Sequence, residues 1–259
     1  MPIVFQMDPK QYNVVIALLT KNCAKFLPHV LKNVEAYASN FLSYTCIIVD
    51  GYSTDLTEII CKSWCRSDRE HRIFGRQPSA NLPRMQSLTE ARNYVLDSTR
   101  QMWGPQTLLL LLDADSPNMT QEGFLTCFKR DDWDALFVNQ KNTYYDLWAL
   151  RDDELSEDYQ IKYRGKSWNG EMQAAIAPYQ KPKQPTDGDT TFHKVRSAFG
   201  GAALYKTTSI GNARYTCTTY NSELKGHVHV CEHVPFHEAI VANGGSLFIN
   251  CKWYNGEHE

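Results

Sequence analysis

The sequence lacks a long apolar run, a surplus of charge of one sign and any repeated or low-complexity segment. Its most apolar stretch, residues 108–112, is five leucines, whereas a membrane-spanning helix needs about 20 apolar residues. The 27 basic and 29 acidic residues nearly cancel, so the basic excess typical of nucleic-acid binders is missing. These absences argue against a membrane span and a nucleic-acid partner, and they favour an ordinary globular protein.

Two familiar phosphate-binding motifs are also missing. No Gly-x-Gly-x-x-Gly follows a predicted strand, and no Gly-x-x-x-x-Gly-Lys-Ser/Thr occurs, which removes the main support for a dinucleotide-binding or P-loop protein. The first ten residues have neither the basic region nor the apolar core of a secretory signal. We therefore expect a soluble, cytoplasmic protein whose eight cysteines are reduced thiols.

The first half of the chain alternates apolar runs with helical patterns. Continuous apolar runs predict buried strands at residues 14–19, 46–49 and 107–112, with helices between them. This order predicts an α/β fold with a parallel sheet and crossover helices.

Two helix starts are predicted in this half from capping residues. One helix is predicted to begin near Thr54, a good N-cap. Its predicted buried residues are Leu56, Ile59, Ile60 and Trp64. A later helix is predicted to begin at residues 87–90, which have the form of a capping box.

The second half is less regular. Residues 151–158 carry five acids and one arginine and are predicted to be a solvated helix or loop, and residues 177–189 form a proline-broken loop that could act as a lid. Residues 227–233 are predicted to be a strand, residues 235–243 a short helix closed by two glycines, and residues 247–249 a last strand.

Polar clusters follow three of the predicted strands, at residues 20–22, 50–55 and 113–115. In parallel sheets, ligands bind beyond the carboxyl ends of the strands. Asp113 and Asp115 flank a single residue, so they can face the same side at the end of a rigid apolar strand. Paired carboxylates are oxygen ligands suited to Mg²⁺ or Mn²⁺, which then bridges to substrate phosphates. The sequence therefore predicts a metal-assisted ligand site at this edge.

The joint order of these motifs resembles the nucleotide-sugar half of GT-A fold glycosyltransferases. The motifs are Thr20-Lys21-Asn22, residues 47–55, Glu90-Ala91-Arg92-Asn93 and Leu112-Asp113-Ala114-Asp115. Residues 200–201 look like the acceptor-side glycine segment of that superfamily, and residues 231–237 look like its acidic catalytic loop. Residues 139–151 are similar to fungal capsule-associated mannosyltransferases and to collagen-type glycosyltransferases of animals and giant viruses. The resemblance covers roughly residues 12–250.

The resemblance implies an α/β GT-A fold, with a mixed, mainly parallel sheet flanked by helices. It implies one such domain over residues 1–259, with a nucleotide-sugar half (about 12–118) and an acceptor half (about 119–259). It implies a UDP- or GDP-sugar donor, Mn²⁺ or Mg²⁺ as cofactor, and a glycan or glycoprotein acceptor. The implied donor-binding residues are Thr20, Asp50, Ser53, Arg84, Arg92 and Ala114. The implied metal ligands are Asp113, Asp115 and His237. The implied catalytic residues are Glu232 and His233, and the implied acceptor-binding residues are Trp148, Gly200 and Gly201.

Several alternatives stay open at this point. Glu232 is a candidate general base for an inverting reaction, His233 or His237 could serve instead, and a retaining reaction would need no such base. His258 could reach back to the metal, and Trp168 could stack on a sugar. The resemblance to giant-virus enzymes also leaves open a virus-encoded protein that acts in a host cytoplasm.

Two rival functions are considered beside the transferase. A sugar nucleotidyltransferase should carry a glycine-rich loop after the first strand, and residues 19–24 contain no glycine. A binding module that keeps the nucleotide pocket without turnover is the second rival. A zinc site on the alternating residues 227–233 is disfavoured because structural zinc ligands come from two separated segments.

Overall fold

The computed structural model describes residues 6–115, 119–162, 170–186, 188–222 and 224–255, so Trp168 and His258 lie outside the described residues. The strands are β1 Asn13–Thr20, β2 Ser43–Asp50, β3 Arg72–Arg76, β4 Thr107–Asp113, β5 Ala135–Gln140, β6 Phe192–Val195, β7 Ala202–Lys206, β8 Thr218–Asn221, β9 Gly226–His229 and β10 Leu247–Asn255. The helices are α1 Leu27–Ala38, α2 Thr57–Arg66, α3 Arg84–Thr99, α4 Gln121–Leu125, α5 Tyr159–Lys162, α6 Glu171–Ile176, α7 Thr207–Ile210 and α8 His233–Ala242.

Eight strands form one sheet in the order β3-β2-β1-β4-β7-β5-β10-β6, and β8 and β9 form a separate hairpin. The pairs β1–β2, β1–β4, β2–β3 and β5–β10 are parallel. Strand β7 runs antiparallel between β4 and β5, and β6 runs antiparallel to β10. The sheet is therefore mixed and mainly parallel, as predicted.

The sheet is buried on both faces, which explains why its central strands are continuously apolar. Alternate residues of β4 belong to two different cores: Leu109 and Leu111 pack on one face, and Leu108, Leu110 and Leu112 on the other. Because β4 is fixed by packing on both sides, the residues that follow it leave the sheet at a defined point.

Helix α2 differs from the prediction in its start and in its buried face. It begins at Thr57 rather than near Thr54, and it buries Thr57, Cys61 and Cys65. Of the four residues predicted to be buried, Leu56 and Ile59 are 61% and 64% exposed, whereas Ile60 and Trp64 are half-buried and pack against the core. The reason is a tertiary contact: the Thr57 hydroxyl accepts a hydrogen bond from the Cys23 backbone N–H at 2.8 Å, which turns this side of the helix inward.

The predicted capping box at residues 87–90 is wrong. Helix α3 begins at Arg84, directly after Pro83. Ser87 donates its hydroxyl hydrogen bond to Gln77 at 2.9 Å, and Glu90 accepts from the backbone N–H and the hydroxyl of Ser79. Both side chains therefore hold the segment after β3 instead of the helix start.

Three further features differ from the prediction. Strand β3 has no counterpart in the prediction, because both its ends are arginines. Residues 151–158 are not a solvated segment throughout: Arg151 and Asp152 are buried, and Arg151 pairs with Asp158 at 3.1 Å. The predicted strand at residues 227–233 ends at His229, and α8 starts at His233.

Two other features of the second half bear on the predictions. The proline-rich segment is anchored at its middle, because the Asn139 side chain bonds both the N–H and the carbonyl of Lys183. The two glycines after α8 close it as predicted, with the Gly245 N–H donating to the Ile240 carbonyl at 3.0 Å. Among the described helices, none has the length and apolar character needed to cross a membrane.

Candidate functional site

A cavity of about 580 Å³ lies at the carboxyl ends of β1, β2 and β4, where the sequence predicts a ligand site. Its lining at the ends of β1, β2 and β3 includes Thr20, Lys21, Gly51 and Gln77. Its other residues from both halves of the chain include Arg84, Arg92, Asp113, Ala114, Asp115, Tyr145, Asp146, Trp148, Phe199, Cys231, Glu232 and His233. The cavity thus collects most of the predicted site residues.

Asp113 and Asp115 line the same cavity, as the strand-end pattern predicts. Asp113 ends β4, and its backbone N–H donates to the Gly201 carbonyl at 2.9 Å. Burial raises the pKa of Asp113 to about 7; Arg92 opposes this effect, and the carboxylates of Asp115 and Asp146 add to it. The cavity therefore gathers negative charge that a bound cation would offset.

Arg92, on α3, links the two halves of the site. Its guanidinium pairs with Glu232 and lies 3.7 Å from the Asp113 carboxylate. The group is buried between the rings of Phe199 and Tyr215, at 5.2 Å and 5.8 Å from their centroids. Such a desolvated cation is held in place by its aromatic and acidic neighbours together.

Glu232 and His233 lie where the chain enters α8, and both are buried and line the cavity. The imidazole of His233 stacks on Phe199 at 4.0 Å between ring centroids, with an interplanar angle of 22°. Neither of its ring nitrogens has a hydrogen-bond partner among the described residues. Burial lowers the pKa of His233 well below its ordinary value, with further lowering by Arg92 and His237, so the ring is neutral at pH 7.

His237 lies one turn further along α8, away from the cavity lining. Its Nδ1 is 2.9 Å from the Ser197 hydroxyl, and its Nε2 is 2.8 Å from the Tyr205 hydroxyl. Burial lowers its pKa to about 3. The structure therefore does not bring His237 together with Asp113 and Asp115, and no cluster of three or more His, Cys, Asp or Glu side chains suited to a metal occurs in the described part of the chain.

Asp50 and Ser53 are not among the described residues that line the cavity. The Asp50 carboxylate accepts from the Ser53 hydroxyl at 2.6 Å and from the Ser53 N–H at 3.0 Å. The Thr20 hydroxyl also donates to it at 3.4 Å. In this structure the Asp50 carboxylate shapes the turn after β2, and it is Gly51 and Thr20 that line the cavity.

The predicted acceptor-side residues are divided between the lining and the supporting layer. Trp148 lines the cavity, and its indole N–H donates to Asp158 at 3.1 Å. Gly200 and Gly201 both have positive φ, at 69° and 100°. The Gly200 N–H donates to the Asp146 carboxylate at 2.9 Å, and the Gly201 carbonyl accepts from the backbone N–H of Asp113.

Two lining residues, Gln77 and Asp146, were not singled out from the sequence. Gln77 follows β3, and its amide donates to the Ser79 carbonyl at 2.7 Å. Recognising β3 as a strand would have placed Gln77 at the same sheet edge as Asp50. Asp146 lies outside any regular element, between Tyr145 and Trp148, and its only signal is the family resemblance of residues 139–151.

No protein-family model matches the sequence, and no curated protein matches it. Many solved structures are similar in fold, including two complexes with nucleotide sugars. One is the fragment 1–349 of S. aureus TarS in complex with UDP-GlcNAc, 13% identical, with a TM-score of 0.56 and covering 95% of this chain and 59% of that chain. The other is the mannosyltransferase PcManGT from Pyrobaculum calidifontis in complex with GDP-Man and Mn²⁺, 11% identical, with a TM-score of 0.53 and covering 97% and 60%.

The chain thus spans about three fifths of the length of each of these structures. At such low identity the likeness establishes the fold and leaves the activity to be argued from the site. The chain has the predicted GT-A fold, a mixed and mainly parallel sheet flanked by helices.

Proposed function

We propose that this protein is a metal-dependent glycosyltransferase that moves a sugar from a UDP- or GDP-sugar to a hydroxyl of a glycan or glycoprotein. The observation that carries the proposal is the convergence of Asp113, Asp115, Arg84 and Glu232 on one cavity of a GT-A fold. The two similar structures are complexes with UDP-GlcNAc and with GDP-Man, which supports a nucleotide-sugar donor.

The carboxylates of Asp113 and Asp115 fit a divalent cation. They are hard oxygen ligands, and the negative charge that they share with Asp146 is the kind that Mn²⁺ or Mg²⁺ neutralises. Two protein ligands suffice, since these ions keep waters and take phosphate oxygens as further ligands. When bound, the ion would neutralise the diphosphate leaving group. His237 remains a predicted third ligand that would first have to leave Ser197 and Tyr205.

Cationic side chains on the nucleotide side would bind the diphosphate. Lys21 and Arg84 line the cavity near the end of β1 and the start of α3. Guanidinium groups bind phosphate bidentately, and an ammonium acts as a point charge. Thr20, Gly51 and Ala114 would contact the donor directly, whereas Asp50 and Ser53 would support it by fixing the turn after β2.

Glu232 is the proposed proton acceptor of an inverting reaction. Its carboxylate would take the proton of the acceptor hydroxyl while that oxygen bonds to the anomeric carbon of the donor. The bond from that carbon to the phosphate oxygen breaks, and its electron pair leaves with the nucleoside diphosphate. A retaining reaction would not use this base, and His233 is the alternative acceptor of the proton.

The acceptor would enter from the side of Trp148. This ring offers a flat apolar face, the surface that sugar rings stack on, and Gly200 and Gly201 support the wall behind it. The resemblance of residues 139–151 to capsule-associated and collagen-type transferases supports a glycan or glycoprotein acceptor.

The replacement Asp115→Asn tests the proposal. It removes a ligand charge from an exposed position without disturbing the core, so we expect Mn²⁺-dependent binding of UDP or GDP to weaken by more than about tenfold. Calorimetric titration of nucleotide with and without Mn²⁺ measures this change, and release of free sugar from UDP-GlcNAc or GDP-mannose reports turnover.

The matched control is Asp153→Asn, because Asp153 is an exposed aspartate outside the cavity lining. It should leave both readouts at the wild-type level. If Asp115→Asn binds nucleotide as the wild type does, with the same response to Mn²⁺, the proposed metal site is wrong. Nucleotide binding without any sugar release would favour a binding module instead.

A further inference from the structure

The His233 imidazole is buried, and no described residue of the protein forms a hydrogen bond with its nitrogens. The residue is 2% exposed and lines the cavity, and neither Nδ1 nor Nε2 has a hydrogen-bond partner there. The nearest carboxylate oxygen, on Glu232, is 4.0 Å from Nε2, which is beyond hydrogen-bond distance. Leaving buried donors and acceptors unpaired is costly, so such a group in a native cavity points to a ligand.

The ring is also fixed in orientation. It stacks on Phe199 at 4.0 Å, meets the ring of Tyr215 edge-on at 5.6 Å and 82°, and lies parallel to His237 at 5.5 Å. Aromatic contacts on several sides prevent the imidazole from turning toward another protein group. Its nitrogens are therefore presented in one preset geometry, as a recognition residue requires.

The neighbouring His237 is a buried histidine whose nitrogens are both hydrogen-bonded within the protein. It is fully buried like His233 and lies one turn away, but its two nitrogens are bonded to the hydroxyls of Ser197 and Tyr205. Both nitrogens of His237 are thus hydrogen-bonded within the protein, whereas those of His233 are available to a ligand in the cavity.

The chemistry of a neutral imidazole selects the kind of group that it can bind. One nitrogen donates and could bind any oxygen, but the other accepts and needs a donor, which a hydroxyl supplies and a phosphate oxygen does not. The position agrees, because His233 lines the same cavity as Asp113 and Asp115, and its neighbour Glu232 is joined to Asp113 through Arg92. That place suits the sugar attached to the diphosphate.

We propose that His233 binds a hydroxyl of the donor sugar through one of its ring nitrogens and so contributes to the choice of sugar. The proposal rests on the nucleotide-sugar function proposed above. It assigns to His233 a binding contact with the sugar rather than the removal of a proton, and leaves the latter to Glu232.

The test compares binding of UDP with UDP-GlcNAc, and of GDP with GDP-mannose, each with Mn²⁺, by calorimetric titration. His233→Phe keeps the aromatic stack and removes both nitrogens. We expect it to weaken binding of the nucleotide sugar by about 10- to 100-fold and to leave binding of the nucleoside diphosphate within about twofold. His233→Gln, which retains a donor and an acceptor, should recover part of the loss. His227→Phe, at an exposed histidine, is the matched control and should change neither.

A second measurement needs no variant at position 233 to fold. Deoxy analogues of the bound nucleotide sugar, titrated against the wild type, should include one position whose loss weakens binding by at least about tenfold. Equal weakening of nucleotide and nucleotide sugar by His233→Phe, an effect on acceptor KM alone, or the absence of any sensitive deoxy position would overturn the inference. If no nucleotide binds to the wild type, the proposed function itself fails.

Discussion

At the scale of single residues, Gly200 shows how tightly the site is built. Its φ of 69° lies in the left-handed region, and a Cβ there would come within 2.9 Å of both the Gln140 amide nitrogen and the Val138 carbonyl. Its N–H also holds the carboxylate of Asp146. The glycine is therefore required by conformation and by space at once.

We predict that Gly200→Ala lowers the free energy of unfolding by about 2–4 kcal/mol, because strain and a clash add to each other. Urea unfolding measures the loss. Gly244→Ala is the control: its φ is 89°, but nothing lies within 4 Å of the added Cβ, so only the strain of about 1 kcal/mol is expected. Equal losses in the two variants would show that crowding at Gly200 is unimportant.

The sequence could predict the two cavity carboxylates but not their partners. Asp113 and Asp115 are found from local signals alone, namely a buried apolar run and the two-residue repeat of a strand. The pairing of Arg92 with Glu232 joins residues far apart in the chain and depends on how α3 and α8 meet at the sheet. No local pattern carries that information.

At the scale of elements, α2 is positioned by one buried hydroxyl. Thr57 is fully buried and accepts the hydrogen bond of the Cys23 N–H, which ties the start of α2 to the loop after β1. The exposed Leu56 and Ile59 show that the apolar residues at the start of this helix do not decide its orientation.

Thr57→Val should destabilise the protein by about 1–3 kcal/mol, since it leaves the Cys23 N–H buried without a partner while keeping the side-chain shape. Ile59→Gln, on the exposed face, should stay within about 0.5 kcal/mol of the wild type. Thermal and urea unfolding of both variants distinguish the two faces. A larger loss of stability in Ile59→Gln than in Thr57→Val would instead support the buried apolar face that periodicity predicts.

Helix and strand interiors were predictable, and their ends were often not. The apolar runs of β1, β2 and β4 fix those strands, because burial on both faces demands such runs. The start of α3 was misplaced because Ser87 and Glu90 have the spacing of a capping box and yet serve Gln77 and Ser79 instead. A side chain that bonds outside its own helix cannot be recognised from spacing.

At the scale of the whole molecule, two buried neutral histidines make stability depend on pH. Burial lowers the pKa of His237 to about 3 and that of His233 well below 6.5. Below about pH 6.5 the unfolded chain binds protons at these positions and the folded chain does not. Their stabilising contribution is therefore complete above about pH 6.5 and is lost as the pH falls.

Between about pH 7.5 and about pH 5.5, we expect each of these histidines to lower the free energy of unfolding by about 1.4 kcal/mol. Asp113 acts in the opposite direction, because its raised pKa of about 7 lets the folded chain bind a proton over the same range. The test is therefore a difference: the free energy of unfolding of the wild type minus that of His237→Gln, from urea unfolding, should be about 1.4 kcal/mol smaller at the lower pH. The same difference for His227→Gln, at an exposed histidine, should not change with pH. A difference for His237→Gln that does not change with pH would contradict the buried neutral state.

The overall architecture was predictable to a greater extent than the topology. Alternation of apolar runs and helices is enough to predict an α/β protein with parallel strands, whereas the mixed sheet was implied only by the GT-A resemblance. The insertion of antiparallel β7 between β4 and β5 was not predicted, because neighbouring order in a sheet depends on long connections that leave no periodic trace.

The two outer strands of the large sheet have a consequence for how the molecules behave when concentrated. Strand β3 is five residues long and begins and ends with arginine, and β6 is four residues long and includes Lys194. Short borders that carry charge resist the addition of a strand from another molecule. The sheet is thereby guarded against amyloid-like growth at both margins.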